Sequence, residues 1–165
     1  MIAGKVWKYG DHINTDLIIP GRYLDNYDPA HLAAHAMEDV DPTFARTVQK
    51  GDIIVAGRNF GCGSSREQAP LALRSAGVGA VIAGSVARIF YRNAINVGLP
   101  IIICPEASRM VSHGDKIAID MAKGTMKNER TGEMVRFVPP PDFLLAILDQ
   151  GGLVPYMRQK LAERK

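Results

Sequence analysis

Three observations predict an α/β fold for this chain. Between Ile53 and Cys104, short β-branched runs alternate with segments of helical period: Ile53-Ile54-Val55-Ala56, Ala80-Val81-Ile82-Ala83 and Ile101-Ile102-Ile103-Cys104 are separated by Ala69 to Ala76 and Ala87 to Ala94. Strand, helix, strand, helix, strand is the order of a parallel sheet with right-handed crossovers. From Asp115 the period falls to two, over Lys116 to Met121 and Glu133 to Val138, with turns at Gly124 and Thr131-Gly132, which predicts antiparallel strands. The third observation is size: 165 residues at 47% apolar content support one good core, and no linker-like segment divides them, so 1–165 reads as a single domain.

Taken in order, Ile2 to Tyr9 alternates around Val6 and Trp7 and is a first strand ending at Gly10-Asp11. Asn14-Thr15-Asp16 is a polar knuckle ahead of the buried run Leu17-Ile18-Ile19-Pro20, and by composition Asp16 is a turn residue making an Asx hydrogen bond. Gly21 to Tyr27 is a loop. Pro29 to Asp39 is a packing helix with Leu32, Ala33, Ala36 and Met37 inward, opened by Asp28 as cap and Pro29 as first residue. On it His31 and His35 have a zinc-compatible spacing but no third ligand read beside them, so they are taken as a solvated face. Phe44 to Gln49 is a short helix, and Lys50-Gly51-Asp52 turns into the strand at Ile53. Gly77-Val78-Gly79 stops the next helix, and Gly84-Ser85 opens the one after it. Arg88 and Arg92 lie on one face of that helix and read as interface or scaffold residues. Pro139-Pro140-Pro141 ends the β-rich part, Asp142 to Leu148 is an apolar helix stopped at Gly151-Gly152, and Val154 to Lys165 is amphipathic with a fraying charged tail.

Charge and composition exclude several function classes. Twenty Lys and Arg against 17 Asp and Glu leave +3 with no basic block, which argues against nucleic acid while leaving small anions open. No apolar stretch approaches a membrane span and the first residues lack signal-peptide architecture, so a cytoplasmic protein is expected. Cys62 and Cys104 are too few for a disulfide framework or a zinc site, so no metal is expected on this chain.

The chemistry concentrates in Gly57-Arg58-Asn59-Phe60-Gly61-Cys62-Gly63-Ser64-Ser65-Arg66-Glu67-Gln68-Ala69-Pro70, directly after the strand Ile53 to Ala56. Three glycines loosen the backbone, and Ser64 with Glu67 has the spacing of a capping box, which predicts a helix start at Ser64 with its amides aimed above the turn. An anion is the natural occupant. Arg66 offers a bidentate fork for a carboxylate, and the hydroxyls of Ser64 and Ser65 offer neutral donors. A serine acts as a base only where fixed donors and positive charge stabilise its alkoxide, and this turn supplies both.

The run Gly61 to Glu67 resembles the signature of the swivelling domain of the aconitase superfamily. At this length the chain looks like the free-standing small subunits of the isopropylmalate isomerase family. Asn14 to Pro20, Ala87 to Ala94 and Asn96-Val97-Gly98-Leu99-Pro100 match in the same order. The resemblance implies a swivelling β/β/α fold and a hydro-lyase that isomerises 2-isopropylmalate and 3-isopropylmalate in leucine biosynthesis. It implies that Ser64, Ser65, Arg66 and Asp16 are catalytic. It also implies that Arg22, Tyr23, Leu24 and Asp25 belong to a loop sensing the variable group of a hydroxy-dicarboxylic acid. Three cysteines hold the four-iron four-sulfur cluster in this superfamily and the chain has two, so the cluster is expected on a large-subunit partner in a heteromer, with homo-oligomers open to the isolated chain.

Asp25 stands where relatives acting on tricarboxylates place an arginine, and its charge repels an extra carboxylate, favouring an alkyl-substituted malate; a solvent-facing Asp25 is equally open. Dimethylmalate, methylmalate and homoaconitate remain open as substrates. So does a different class, a non-catalytic anion-binding regulatory module built on Ser64-Ser65-Arg66.

Overall fold

Alternation within the β-branched runs decides the layering. A computed structural model describes residues 1–164, and among these seven strands form a sheet in the order β4-β3-β2-β1-β5-β6-β7. They are β1 (Ile2–Lys8), β2 (Ile53–Ala56), β3 (Ala80–Ala83), β4 (Ile101–Ile103), β5 (Lys116–Asp120), β6 (Thr125–Asn128) and β7 (Met134–Arg136). The first four pair in parallel, with Trp7 beside Ile54 and Ile82 beside both Val55 and Ile102, and the last three join β1 antiparallel. One face of the parallel half presents Val6, Ile53, Val55, Ile82 and Ile102, and these share a core with Ile117, Ile119 and Met126 of the antiparallel half. The sheet therefore curls until its second half covers its first.

The other face carries Trp7, Ile54, Val81 and Ile101, closed by Leu32, Ala72, Leu73, Phe90 and Ala94 from helices. The helices are α1 (Thr15–Ile18), α2 (Pro29–Ala34), α3 (Phe44–Thr47), α4 (Gln68–Ala76), α5 (Arg88–Asn96), α6 (Ala107–Met110), α7 (Asp142–Asp149) and α8 (Leu153–Glu163). With both faces of the parallel strands buried, their near-continuous apolar sequence is accounted for. The result is the β/β/α layering that was expected.

Three expectations about helices are corrected. α2 stops at Ala34 because the Met37 N–H, at φ +60°, donates to the Ile18 carbonyl at 2.8 Å instead of continuing the helix. His31 and His35 are not a solvated face: His35 stacks on Tyr23 at 3.7 Å and its Nδ1 lies 3.2 Å from Glu38, a neighbour the spacing argument overlooked. α4 begins at Gln68, four residues later than the Ser64–Glu67 spacing predicts, and no capping box forms. Pro70 explains the shift. It is tolerated in the first turn of a helix starting at Gln68, whereas a start at Ser64 would place its ring against the Arg66 carbonyl in mid-helix.

A polar knot fixes the antiparallel half. Asp115, 7% exposed, accepts from the Arg130 guanidinium at 2.7 and 3.1 Å, the Ser112 N–H at 2.8 Å and the Asn128 amide at 2.9 Å. Bonding to Arg130, then to Ser112 and Asn128, holds the Asp115 carboxyl well below the usual range. A depressed folded-state pKa means stability present above the unfolded value and lost as pH falls through the folded one. Asp115→Asn is therefore expected to lower the urea midpoint at pH 7, and the gap to wild type should shrink on acidification below the ordinary carboxylate pKa. A gap that stays constant with pH would remove the ion pair from this account.

Candidate active site

The loop after β2 continues the parallel ladder beyond the sheet. On one side it follows the loop after β1, with Gly57 N–H to Gly10, His12 N–H to Arg58, Gly61 N–H to Ile13 and Thr15 N–H to Cys62, all at 2.8 to 3.1 Å. On the other it follows the approach to α5, where the Phe60 N–H donates to Ser85 and the Ala87 N–H returns to Phe60, both at 3.0 Å. Residues 57–62 are thus pinned between two neighbours at the carboxyl ends of β1, β2 and β3, the region where ligands gather in such sheets. Gly61, at φ +76°, has no room for a side chain because a Cβ there would overlap the Phe90 ring.

From this frame Ser64, Ser65 and Arg66 project together. The Thr15 hydroxyl holds the Ser64 carbonyl at 2.9 Å, and the Arg66 N–H donates to the same carbonyl at 3.0 Å. The Arg66 guanidinium is bonded to the Asp16 carboxylate and, at 3.4 Å, to the Ile19 carbonyl. Asn14 positions Asp16: its side chain accepts from the Leu17 N–H at 2.9 Å and starts α1. The Asx bond expected of Asp16 is thus made by Asn14, and Asp16 is left to aim Arg66.

A cavity of about 480 Å³ opens here, lined by Thr15, Ser64, Ser65 and Arg66 on one wall and by Arg88, Arg92 and Asn93 of α5 on the other. Its volume suits a small molecule. No Asp, Glu or His lines it, so three guanidiniums face it with three hydroxyls and an amide. Arg88 and Arg92, expected as interface or scaffold residues, share the cavity with the serines. A signal for them existed, since no acidic residue occurs between Glu67 and Glu106.

The loop residues proposed to contact substrate do not line this cavity. Arg22 is bonded to Asp39 at 2.8 and 3.2 Å and to Glu38 at 2.8 Å; Tyr23 donates to Glu38 at 2.6 Å. These donors pull the Glu38 carboxyl down to about 2, the Tyr23 hydroxyl foremost and His35 next. Leu24 packs half-buried against the helical core and Asp25 is exposed. The loop returns to the site at its far end, where the Tyr27 hydroxyl donates to Glu67 at 2.9 Å.

A larger depression of about 670 Å³ lies at the opposite ends of the strands, beside Gly51, Gly79 and Pro100; Lys50, Arg74 and Ser75 line it, but so does the Asp149 carboxylate, and it lacks the acid-free wall of the smaller cavity. Cys62 is half-buried and Cys104 buried, and among the described residues no three His, Cys, Asp or Glu side chains come together as a metal group. These residues do not make a ligand set for an iron–sulfur cluster. Among the described residues no helix is long and apolar enough to cross a membrane.

A model of the aconitase C-terminal domain family matches residues 12–106. The 3-isopropylmalate dehydratase small subunit of Moorella thermoacetica is 55% identical over 161 residues, covering 98% of this chain and 97% of the relative. The isopropylmalate/citramalate isomerase small subunit of Methanocaldococcus jannaschii is 52% identical over 163 residues, covering 99% and 97%. The crystal structure of 3-isopropylmalate dehydratase from the same organism matches with a TM-score of 0.93 at 45% identity, over 99% of this chain and 96% of that one. Both motif and fold thus agree across nearly the whole length, and the chain belongs to the aconitase C-terminal domain family, within its group of 3-isopropylmalate dehydratase small subunits.

Proposed function

We propose that this chain is the small half of a hydro-lyase that interconverts 2-isopropylmalate and 3-isopropylmalate in the cytoplasm, for leucine biosynthesis, and that it works only beside a large subunit. The observation that carries this is the cavity wall, where Ser64, Ser65 and Arg66 face Arg88 and Arg92 with no acidic side chain among them. Such a wall attracts a dianion and steadies negative charge that develops on a serine oxygen.

In this reading Ser64 Oγ, as alkoxide, takes the proton from the carbon next to a substrate carboxylate. Loss of hydroxide from the neighbouring carbon then leaves an unsaturated diacid, and water added with the opposite orientation gives the isomer. Arg66, held by Asp16, clamps the carboxylate beside the acidic proton, and Ser65 donates to it. The helix amides take no part, because α4 starts at Gln68 and the Arg66 N–H is already bonded to the Ser64 carbonyl. Positive charge from the guanidiniums does that work instead. A four-iron four-sulfur cluster on the large subunit would supply Lewis acidity toward the departing hydroxyl.

Asp25, exposed on the loop 21–27, repels a third carboxylate that meets this loop and so favours alkyl-substituted malates over homoaconitate. Citramalate is a second candidate, supported by the relative named for both substrates. The test is reconstitution. The chain alone and the chain mixed with its large subunit are assayed on a panel of substituted malates by absorbance of the unsaturated acid. Turnover is expected only in the mixture and best with isopropylmalate; an inert mixture, together with tight phosphate binding by the chain alone, would make this an anion-binding module instead.

A further inference from the structure

The depression of about 670 Å³ at the amino ends of the strands plays no part in the chemistry above, and its charges set it apart. Lys50 and Arg74 stand on one wall, because the Gly51 N–H donates to the Gly77 carbonyl at 2.8 Å and so joins the turn carrying Lys50 to the end of α4. Asp149 stands on the other, as the last residue of α7. A carboxylate there adds to the negative end of the helix dipole, where a cation is the favoured neighbour. The Arg74 guanidinium reaches across to the exit of α7: a Cβ on Gly151 would lie 3.2 Å from its Nη2. Yet neither Arg74 nor Lys50 pairs with Asp149, and among the described residues none of the three forms an ion pair. Two cations and one carboxylate thus face the same space unanswered. Between them the surface is aliphatic. Leu145, Leu148 and Asp149 share one face of α7, being three and four residues apart, and Ile2 and Met121 are half-buried beside them.

We propose that this depression binds a free α-amino acid with an aliphatic side chain. Lys50 and Arg74 hold its carboxylate, Asp149 its ammonium, and Leu145 and Leu148 its side chain. Both charges of such a molecule sit on one carbon, and Arg74, within reach of the end of α7, brings the carboxylate next to the ammonium that Asp149 accepts. A plain anion would be repelled by Asp149 and a plain amine by the two cations, so only a molecule carrying both charges answers all three groups. The volume lies within the range of small-molecule sites, and the location is at the far ends of the strands from Ser64, independent of the isopropylmalate reaction.

Isothermal titration of the full chain with L-leucine tests the site without any turnover assay. Saturable binding is expected at or below about 1 mM, which is ordinary for a ligand of this size. The two halves of the molecule are the controls: 4-methylpentanoate lacks the ammonium and 3-methylbutylamine lacks the carboxylate. Each should bind about tenfold or more weakly than L-leucine, the effect of one charged hydrogen bond. Asp149→Asn should bring L-leucine down to the level of the acid while improving the acid itself, and K50Q/R74Q should bring it down to the level of the amine. All three positions are exposed, so the variants are expected to keep the wild-type urea midpoint within error. Absence of saturation at about 10 mM, ten times the expected limit, overturns the site. So does 4-methylpentanoate binding as tightly as L-leucine, which would make this a simple anion site, and so does L-leucine binding that survives both variants, which would place the ligand elsewhere on the chain.

Discussion

Ser64→Ala is expected to cut kcat by about 10²- to 10⁴-fold, the usual contribution of a positioned general base, while leaving the fold and the complex with the large subunit intact. The structure separates the two effects unusually well. What Ser64 gives the fold is its carbonyl, which accepts from the Thr15 hydroxyl and the Arg66 N–H, and alanine keeps that carbonyl. What it gives the cavity is an exposed hydroxyl, which alanine removes. The stability change should therefore stay within about 0.5 kcal/mol, as for other exposed positions away from special features. Co-purification with the large subunit, a urea midpoint and the rate of unsaturated-acid formation measure the three terms. A variant that retains the normal rate would take the base assignment away from Ser64. Ser65→Ala, by contrast, removes only a neutral donor to the carboxylate and should act mainly on KM.

Legibility followed the range of the interactions involved. The strands at Ile53, Ala80 and Ile101 were readable because burial on both faces leaves a local mark, an unbroken β-branched run between glycines. The serine turn was readable because glycine, hydroxyl and guanidinium chemistry sit within a few residues of one another. The start of α4 was misplaced because two local rules conflict: the Ser64–Glu67 spacing invites a cap, and Pro70 forbids the helix that would follow. The proline wins because a mid-helix clash costs about 3 kcal/mol against about 1 for a cap. Arg88 and Arg92 were put on the right helix, but the cavity that they line went unread. Periodicity says which residues share a face and nothing about what that face meets, and here it meets the serines through the Phe60–Val86 bridge. Arg22 shows the converse, a cation whose partners, Glu38 and Asp39, follow 16 and 17 residues later and take it out of the cavity. No windowed reading of the chain would pair them.

Gly61→Ala should be the most damaging small substitution in the loop, because it acts on the frame that carries the serines. At φ +76° an alanine sits in the left-handed region, and its Cβ would overlap the Phe90 ring, itself 3% exposed and packed edge-on against the fully buried Phe60 at 5.3 Å. Left-handed strain of about 1–2 kcal/mol and overpacking of about 1–3 kcal/mol add to an expected loss of about 2–5 kcal/mol, read as a lower urea midpoint of the isolated chain. The backbone cannot simply move aside, since the Gly61 N–H is bonded to Ile13 and the residues on either side are held by Ser85 and Thr15. Relief must come from displacing α5 or the segment 62–66, and either route separates Ser64 from the Arg88 wall. Activity per folded complex should therefore fall by about 10²-fold as well, the usual result of misplacing a reacting group by an ångström. The two losses have one cause, so they should recover together: Gly61→Ala combined with Phe90→Ala opens space for the new methyl, and the pair should show favourable coupling of about 0.5–3 kcal/mol in a double-mutant cycle. Strict additivity, with no recovery of rate, would mean that the left-handed backbone alone requires glycine at 61 and that the Phe90 contact does not position the site.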